Sequence, residues 1–215
     1  MSVTVIGDNS TGVDYTGTDD TQIQSANPTI PGEGSSWEVT KYSSGVHISA
    51  LIRLTGLSNI PSNAIIDDVT LSIYLEDAVG AGPHTISAYR LFRAWNETAT
   101  WEAFTNGGGD IWGTNGALNT TTDRSSTVSG TTSVSTTPGY FNITGAQLIA
   151  DVQAIVNSTN TNEGWILERT DGADDTTYRQ FTASEGTDGQ RPKLTVTWHL
   201  PSVYADDALL VIRKA

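Results

Sequence analysis

The stretch from Ile65 to Leu75, IIDDVTLSIYL, decides the fold class. From Val69 onward every second residue of this stretch is a large aliphatic side chain, and Thr, Ser and Tyr stand between them. Such alternation is typical of a β-strand with one buried face, because successive side chains point to opposite sides of a sheet. The segment Lys193–His199, KLTVTWH, repeats the pattern near the other end of the chain. Both segments predict strands of a sheet that covers an apolar core.

Other short apolar runs predict further strands, and clusters of Gly, Asn, Asp and Ser separate them as turn residues do. These runs are His47–Leu54, His84–Arg93, Tyr140–Ile143, Gly164–Glu168, Tyr178–Ala183, Trp37–Thr40 and Val3–Ile6. Many short strands with turns between them indicate a β-sandwich or a β-barrel. Residues 105–137 interrupt the pattern with a long stretch rich in Gly, Ser, Thr and Asn.

A single helix is predicted from Gly145 to Val156, with Thr144 as its N-cap. Its apolar residues recur at the spacing of one helical face. They are Leu148, Ile149, Val152, Ile155 and Val156. The polar run that starts at Asn157 ends the helix, which we expect to lie across the mouth of the sandwich.

Composition excludes several classes of protein. The 215 residues carry a formal net charge of −13, so the basic surface that binds nucleic acid or anionic lipid is not expected. Cysteine is absent, which rules out disulfide scaffolds, cysteine zinc sites and thiol nucleophiles. Neither a secretory signal nor a membrane-spanning run is recognisable.

The chain is expected to form one domain over residues 1–200 and a C-terminal assembly tail over residues 201–215. The tail holds the apolar residues Leu209, Leu210, Val211 and Ile212, which we expect to contact a partner. The alternative is that this run is a final strand completing the sheet of its own domain.

Six phrases along the chain stand in the order found in one known family. They are DTQIQSANPT (20–29) with GSSWEV (34–39), IRL (52–54) leading into the Ile65–Leu75 strand, WNETATW (95–101), FNIT (141–144), NEGWIL (162–167), and FTASE (181–185) with RPKL (191–194). Over residues 19–198 the chain resembles the DNRLRE domains, which are grouped with family-96 carbohydrate-binding modules. The resemblance implies a jelly-roll β-sandwich and a non-catalytic module on surface-exposed proteins. The expected fold is therefore an all-β jelly roll with one short α-helix.

Residues within these phrases are expected to have structural roles. Trp95 and Trp101 would bracket a rigid turn beside the helix, with Glu97 anchoring it. Arg53 would be buried against Glu97 or Glu185, and Glu185 would pair with Arg53 or Arg191. These structural residues are Arg53, Trp95, Glu97, Trp101, Glu185 and Arg191.

Aromatic residues in polar contexts are candidates for glycan binding, because aromatic rings stack on the apolar faces of sugars. The candidates are Trp112, Tyr42, Tyr15 and Tyr178. The alternative for each is ordinary packing within the protein.

Clustered carboxylates suggest a structural Ca²⁺ ion, which prefers six to eight oxygen ligands. The ligands expected from the acidic turns are Asp20 and Asp175. A solvated acidic turn is the alternative.

No catalytic residues are predicted, because the chain has no recognisable nucleophile motif and no paired acid and base. We expect a protein on a virion surface or otherwise outside the cell, namely a phage decoration or fibre protein with a role in glycan adhesion. Its partners would be other subunits of the assembly and a polysaccharide, with neither nucleic acid nor membrane. The alternative is a carbohydrate-binding module of a polysaccharide-degrading enzyme system.

Overall fold

Antiparallel β-strands form most of the molecule, which a computed structural model describes at residues 1–7, 17–32, 34–105, 109–172 and 176–202. The strands of these residues are β1 (Ser2–Ile6), β2 (Thr18–Gln24), β3 (Ser36–Lys41), β4 (His47–Leu54), β5 (Ile65–Val79), β6 (His84–Arg90), β7 (Gly130–Val134), β8 (Gly139–Ile143), β9 (Trp165–Arg169), β10 (Tyr178–Thr182) and β11 (Lys193–His199). The helix α1 covers Ala146–Val156, and a 3-10 helix covers Thr55–Asn59.

The strands form two sheets that share β3. In the first sheet the order is β1-β11-β5-β10-β3, and β8 pairs with the opposite side of β5. In the second sheet β4 pairs with β2, β3 and β9, and the order continues through β6 to β7. Strand β3 passes from one sheet to the other at the pair Thr40↔Ile48. This arrangement confirms the all-β jelly-roll sandwich with one short helix.

The main core fills the space between the two sheets. The long strand β5 supplies Leu71, Ile73 and Leu75, and all three are fully buried. Helix α1 closes one end of the core, because its Leu148 and Val152 belong to the same apolar cluster. Each buried aliphatic side chain of this kind stabilises the fold by about 1.5–3 kcal/mol.

Two strands escaped sequence analysis. Strand β2, TDDTQIQ, and strand β7, GTTSV, contain one large apolar residue each, so their sequences show no alternation. The N-cap of α1 was also assigned wrongly. Gly145 occupies the cap position without any side-chain hydrogen bond, so Thr144 does not cap the helix.

The described residues contain no helix of sufficient length and apolar character to cross a membrane. The predicted domain of residues 1–200 and tail of residues 201–215 stay a prediction. Residues 203–215 lie outside the described residues, and with them the expected assembly residues Leu209, Leu210, Val211 and Ile212.

Candidate binding cleft

A second apolar cluster lies on the outer face of the second sheet, beneath the segment that follows β6. Leu51 from β4 and Ile166 from β9 form its floor, and Trp95 and Trp112 cover it. Trp112 is 3% exposed and its Nε1 donates a hydrogen bond to the Thr100 carbonyl oxygen at 2.9 Å. The expectation of an exposed Trp112 ring for sugar stacking is therefore wrong, because the ring is an integral part of this cluster.

Trp101 lies at the rim of this cluster and forms one wall of a cleft of about 200 Å³. We call it the Trp101 cleft. Its lining comes from the end of β3, the start of β4, the end of β9 and the covering segment. The lining residues are Thr40, Lys41, His47, Ile48, Ser49, Trp101, Leu118, Arg124, Glu168 and Arg169.

Gly116 holds the indole of Trp101 in place. Its backbone has φ +78°, a left-handed conformation that favours glycine, and an added Cβ would lie 2.6 Å from the Trp101 ring. Asp123 fixes the same segment. Its fully buried carboxylate accepts hydrogen bonds from the backbone N–H groups of Gly113 and Thr114 at 2.8 and 3.0 Å. The wall of the cleft is thus rigidly supported.

An ion pair lies at the back of the Trp101 cleft. Arg124 Nη1 donates a hydrogen bond to Glu168 Oε2 at 2.5 Å, and both side chains are mostly buried. The guanidinium of Arg124 stacks over the ring of Tyr89 at 4.3 Å, while its Nε is buried without a hydrogen-bond partner among the described residues. Burial, followed by the nearby charge of Glu168, raises the pKa of Tyr89, so this phenol stays protonated.

The polar residues of the Trp101 cleft include the cations Lys41, Arg124 and Arg169. Arg124 is paired with Glu168 and Arg169 with Asp171, so Lys41 supplies the charge that these pairs do not balance. His47 meets Trp101 edge-on, with ring centroids 6.4 Å apart. The cleft therefore combines an aromatic wall with ionised donors and one acceptor, which suits a small polyhydroxylated or anionic ligand.

Two of the predicted glycan-binding residues, Tyr42 and Tyr178, lie together on the outer face of the first sheet. The Tyr42 hydroxyl donates to Glu38 Oε2 at 3.2 Å, and the Tyr178 hydroxyl donates to Asp77 Oδ2 at 2.9 Å. Burial and the charge of Glu38 raise the pKa of Tyr42 to about 12, and the bond to Asp77 raises the pKa of Tyr178. Both rings are half-buried. Tyr15 lies outside the described residues.

Arg53 has partners other than the predicted ones. Its Nη2 lies 2.6 Å from Asp19 Oδ2, its Nη1 lies 3.4 Å from Glu163 Oε2, and its guanidinium stacks over Trp95 at 5.1 Å. Pairing with Glu97 or Glu185 was wrong as the principal contact, because β2 pairs directly with β4 and brings Asp19 opposite Arg53. The side chain of Arg53 is 19% exposed.

The other predicted structural residues fall into two places. Trp95 is buried and its Nε1 donates to the Glu163 carbonyl oxygen at 2.7 Å. The turn from Trp95 to Trp101 covers the second sheet rather than α1, so its expected place beside the helix was wrong. Arg191 contacts Asp188 at 2.9 Å and the Gly186 carbonyl oxygen at 3.0 Å.

Asp20 is buried within a group of carboxylates. Its Oδ2 accepts a hydrogen bond from the Ser184 N–H at 2.8 Å, and the side chains of Glu185 and Glu97 lie close by. Burial, followed by repulsion from Glu185 and Glu97, raises the pKa of Asp20 from 3.8 to about 7. Burial and the charges of Glu185 and Asp19 likewise raise the pKa of Glu97.

These carboxylates do not form a recognisable metal site. Within the described ranges, no three His, Asp or Glu side chains are grouped so that they could hold a metal ion. Asp175, the second expected ligand, lies outside the described residues. Nearby, Asp171 lies 3.3 Å from Arg169 Nε, which already neutralises its charge. The Ca²⁺ ion stays a prediction.

A scan against protein-family models finds no match for this chain, and a search of curated proteins finds none either. The resemblance to DNRLRE domains therefore stays a hypothesis based on the six sequence phrases.

The Trp101 cleft is not recognisable from the sequence. Trp101 was expected only to bracket a rigid turn, and Arg124, Glu168 and Lys41 were not singled out as site residues. The one available signal was the WNETATW phrase, which placed Trp101 beside a turn. The cleft itself depends on β3, β4 and β9 meeting one loop, and no local pattern encodes that meeting.

Proposed function

We propose that the protein is a non-catalytic module on the exterior of an assembly, a virion decoration or fibre protein, and that it binds a glycan in the Trp101 cleft. The observation that carries the glycan part is the combination of an indole wall with ionised hydrogen-bonding groups in one small cleft. An indole packs against the apolar C–H face of a sugar, and charged side chains bond its hydroxyl groups.

The size of the Trp101 cleft suits one sugar unit. A volume of about 200 Å³ is below the roughly 300–1,000 Å³ of pockets for drug-sized ligands. The ligand would therefore enter by a terminal or branching unit rather than lie along the cleft as a long chain.

The charges of the cleft favour a sugar that carries a carboxylate or sulfate. Lys41 attracts an anionic sugar locally, because Arg124 is already paired with Glu168, while the net charge of −13 repels the sugar in general. We expect this preference to weaken as salt screens the charges.

The exterior part of the proposal is supported by the resemblance to DNRLRE domains, which implies a non-catalytic module on surface-exposed proteins. The second candidate is a carbohydrate-binding module of a polysaccharide-degrading enzyme system, which the same resemblance and the same cleft support. A catalytic domain encoded in the same reading frame would favour the second candidate, and neighbouring capsid or tail genes the first.

A glycan array with acidic and neutral saccharides tests the binding part. Trp101→Ala and Lys41→Ala should each weaken binding of the best glycan about tenfold or more, equivalent to about 1.4 kcal/mol. Lys193→Ala is the matched control, because Lys193 lies on the first sheet away from the cleft. Binding that survives both cleft variants but is lost in Tyr178→Ala would move the site to the Tyr42–Tyr178 face. An array with no bound glycan would refute the adhesion role.

A further inference from the structure

Strand β1 is an open edge of the first sheet. Among the described residues it pairs with β11 alone, so its outer row of N–H and C=O groups faces away from the sheet. Its sequence, SVTVI, holds neither a charged residue nor a proline, the features that usually protect an edge strand. An edge of this kind is a template for an added strand.

An apolar patch accompanies this edge. Val3 and Val5 are 63% and 44% exposed, and they point outward because Ile6 on the same strand points into the core. Ile65, at the start of β5, and Leu200, just after β11, are 43% and 52% exposed at the same corner of the sandwich. Exposed apolar residues that lie together at an unpaired edge mark a partner contact.

The C-terminal segment offers an apolar run that could occupy this edge. The run ALLVI, residues 208–212, is as long as β1 and ends in the strand-forming residues Val211 and Ile212. Arg213 and Lys214 follow this run.

The topology favours a segment from another molecule. Strand β11 ends beside the start of β1, since Trp198 pairs with Ser2. A segment of the same molecule that turned back directly there would pass the start of β1 and would then run parallel to it. Parallel pairing is slightly less stable than antiparallel pairing. A segment from a second copy approaches freely and pairs antiparallel.

We propose that the edge of β1 binds residues 208–212 of a second copy of this chain as an added antiparallel strand. The inference rests on the assembly part of the proposed function and makes it specific. It does not depend on the Trp101 cleft, so glycan binding and self-association can fail separately. Reciprocal exchange would give a two-fold dimer, and one-way exchange would give a ring or a fibre.

Sedimentation velocity of the full chain over a range of concentrations gives the first test. The wild-type chain should self-associate, and Val5→Lys and Leu210→Lys should each weaken association at least tenfold, because a charge on either strand opposes pairing. Val79→Lys is the matched control, since Val79 has the same 44% exposure as Val5 but lies at the other end of β5. Leu210→Lys keeps the sandwich sequence intact if Val5→Lys disturbs the fold. A wild-type chain that stays monomeric up to about 1 mM overturns the proposal.

Disulfide trapping identifies the contact, because the chain has no cysteine. A Val3→Cys chain mixed with a Leu210→Cys chain of different tag should form a mixed disulfide dimer. Replacing the first chain by Val79→Cys should abolish it. A chain that carries both Val3→Cys and Leu210→Cys gives the opposing test. If this chain closes an internal disulfide at high dilution, the segment binds its own molecule, and the proposal of a second copy is wrong.

Discussion

The buried carboxyl of Asp20 should make the stability of this protein fall as pH rises. Asp20 is 5% exposed in β2, where it accepts a hydrogen bond from Ser184. Its pKa is raised from 3.8 to about 7, first by burial and then by the charges of Glu185 and Glu97. The perturbation that tests this is Asp20→Asn, which keeps the shape and the hydrogen-bond acceptor but cannot ionise.

The sign and the size follow from proton linkage. Between about pH 4 and pH 7 the folded protein holds the proton of Asp20 and the unfolded chain does not, so the free energy of unfolding decreases with rising pH. One pKa unit is worth about 1.36 kcal/mol, so the whole effect is up to about 4 kcal/mol. Asp20→Asn behaves as the protonated form at every pH. We therefore expect it to match the wild type near pH 4 and to exceed its stability by about 2–4 kcal/mol at pH 8.

Urea denaturation at several pH values measures this difference, because subtracting the two curves removes the contribution of every group that does not interact with Asp20. Asp19→Asn is the matched control. The carboxylate of Asp19, which is next to Asp20 in the chain, lies 2.6 Å from Arg53 Nη2. Asp19→Asn should therefore lose stability at pH 8 rather than gain it. A constant difference between wild type and Asp20→Asn from pH 4 to pH 8 would refute the reasoning.

Three further predictions concern the stability of the folded protein. Arg53→Ala should cost about 2–4 kcal/mol in urea denaturation, because it leaves the carboxylates of Asp19 and Glu163 without their cation. Asp123→Ala should cost about 3 kcal/mol and also weaken glycan binding, since it frees the backbone N–H groups that shape the wall of the Trp101 cleft. A structural Ca²⁺ ion would bind the folded state alone, so millimolar Ca²⁺ should raise the melting temperature above that in chelator.

Each of these has a result that would contradict it. Asp110→Ala is the control for Asp123, because Asp110 is an exposed carboxylate of the same segment bonded to Thr105. Equal losses in the two variants would mean that burial of Asp123 is unimportant. An Arg53→Ala chain as stable as wild type would show that solvent already screens the ion pairs. Identical melting temperatures with and without Ca²⁺ would contradict the calcium prediction.

The sequence by itself determined the fold class and most of the strands. Val69, Leu71, Ile73 and Leu75 alternate because one face of β5 is buried, and α1 shows the different period of a helix. Such patterns are local, since they arise from the geometry of one element against one core. Strands β2 and β7 were beyond reach for the same reason: pairing with neighbours decides their conformation, and their side chains carry no alternation.

Tertiary structure alone decided the partners and the cleft. Arg53 pairs with Asp19 and Glu163, 34 and 110 residues away in the chain, because β2, β4 and the segment before β9 meet there. Trp112 is buried and Trp101 lines the cleft. Gly116 leaves room for the Trp101 ring, and Asp123 holds the backbone that follows Trp112. A sequence specifies which side chains can ionise, stack or donate. The distances and the burial that turn them into an ion pair, a raised pKa or a binding cleft exist only after strands that are distant in sequence have paired.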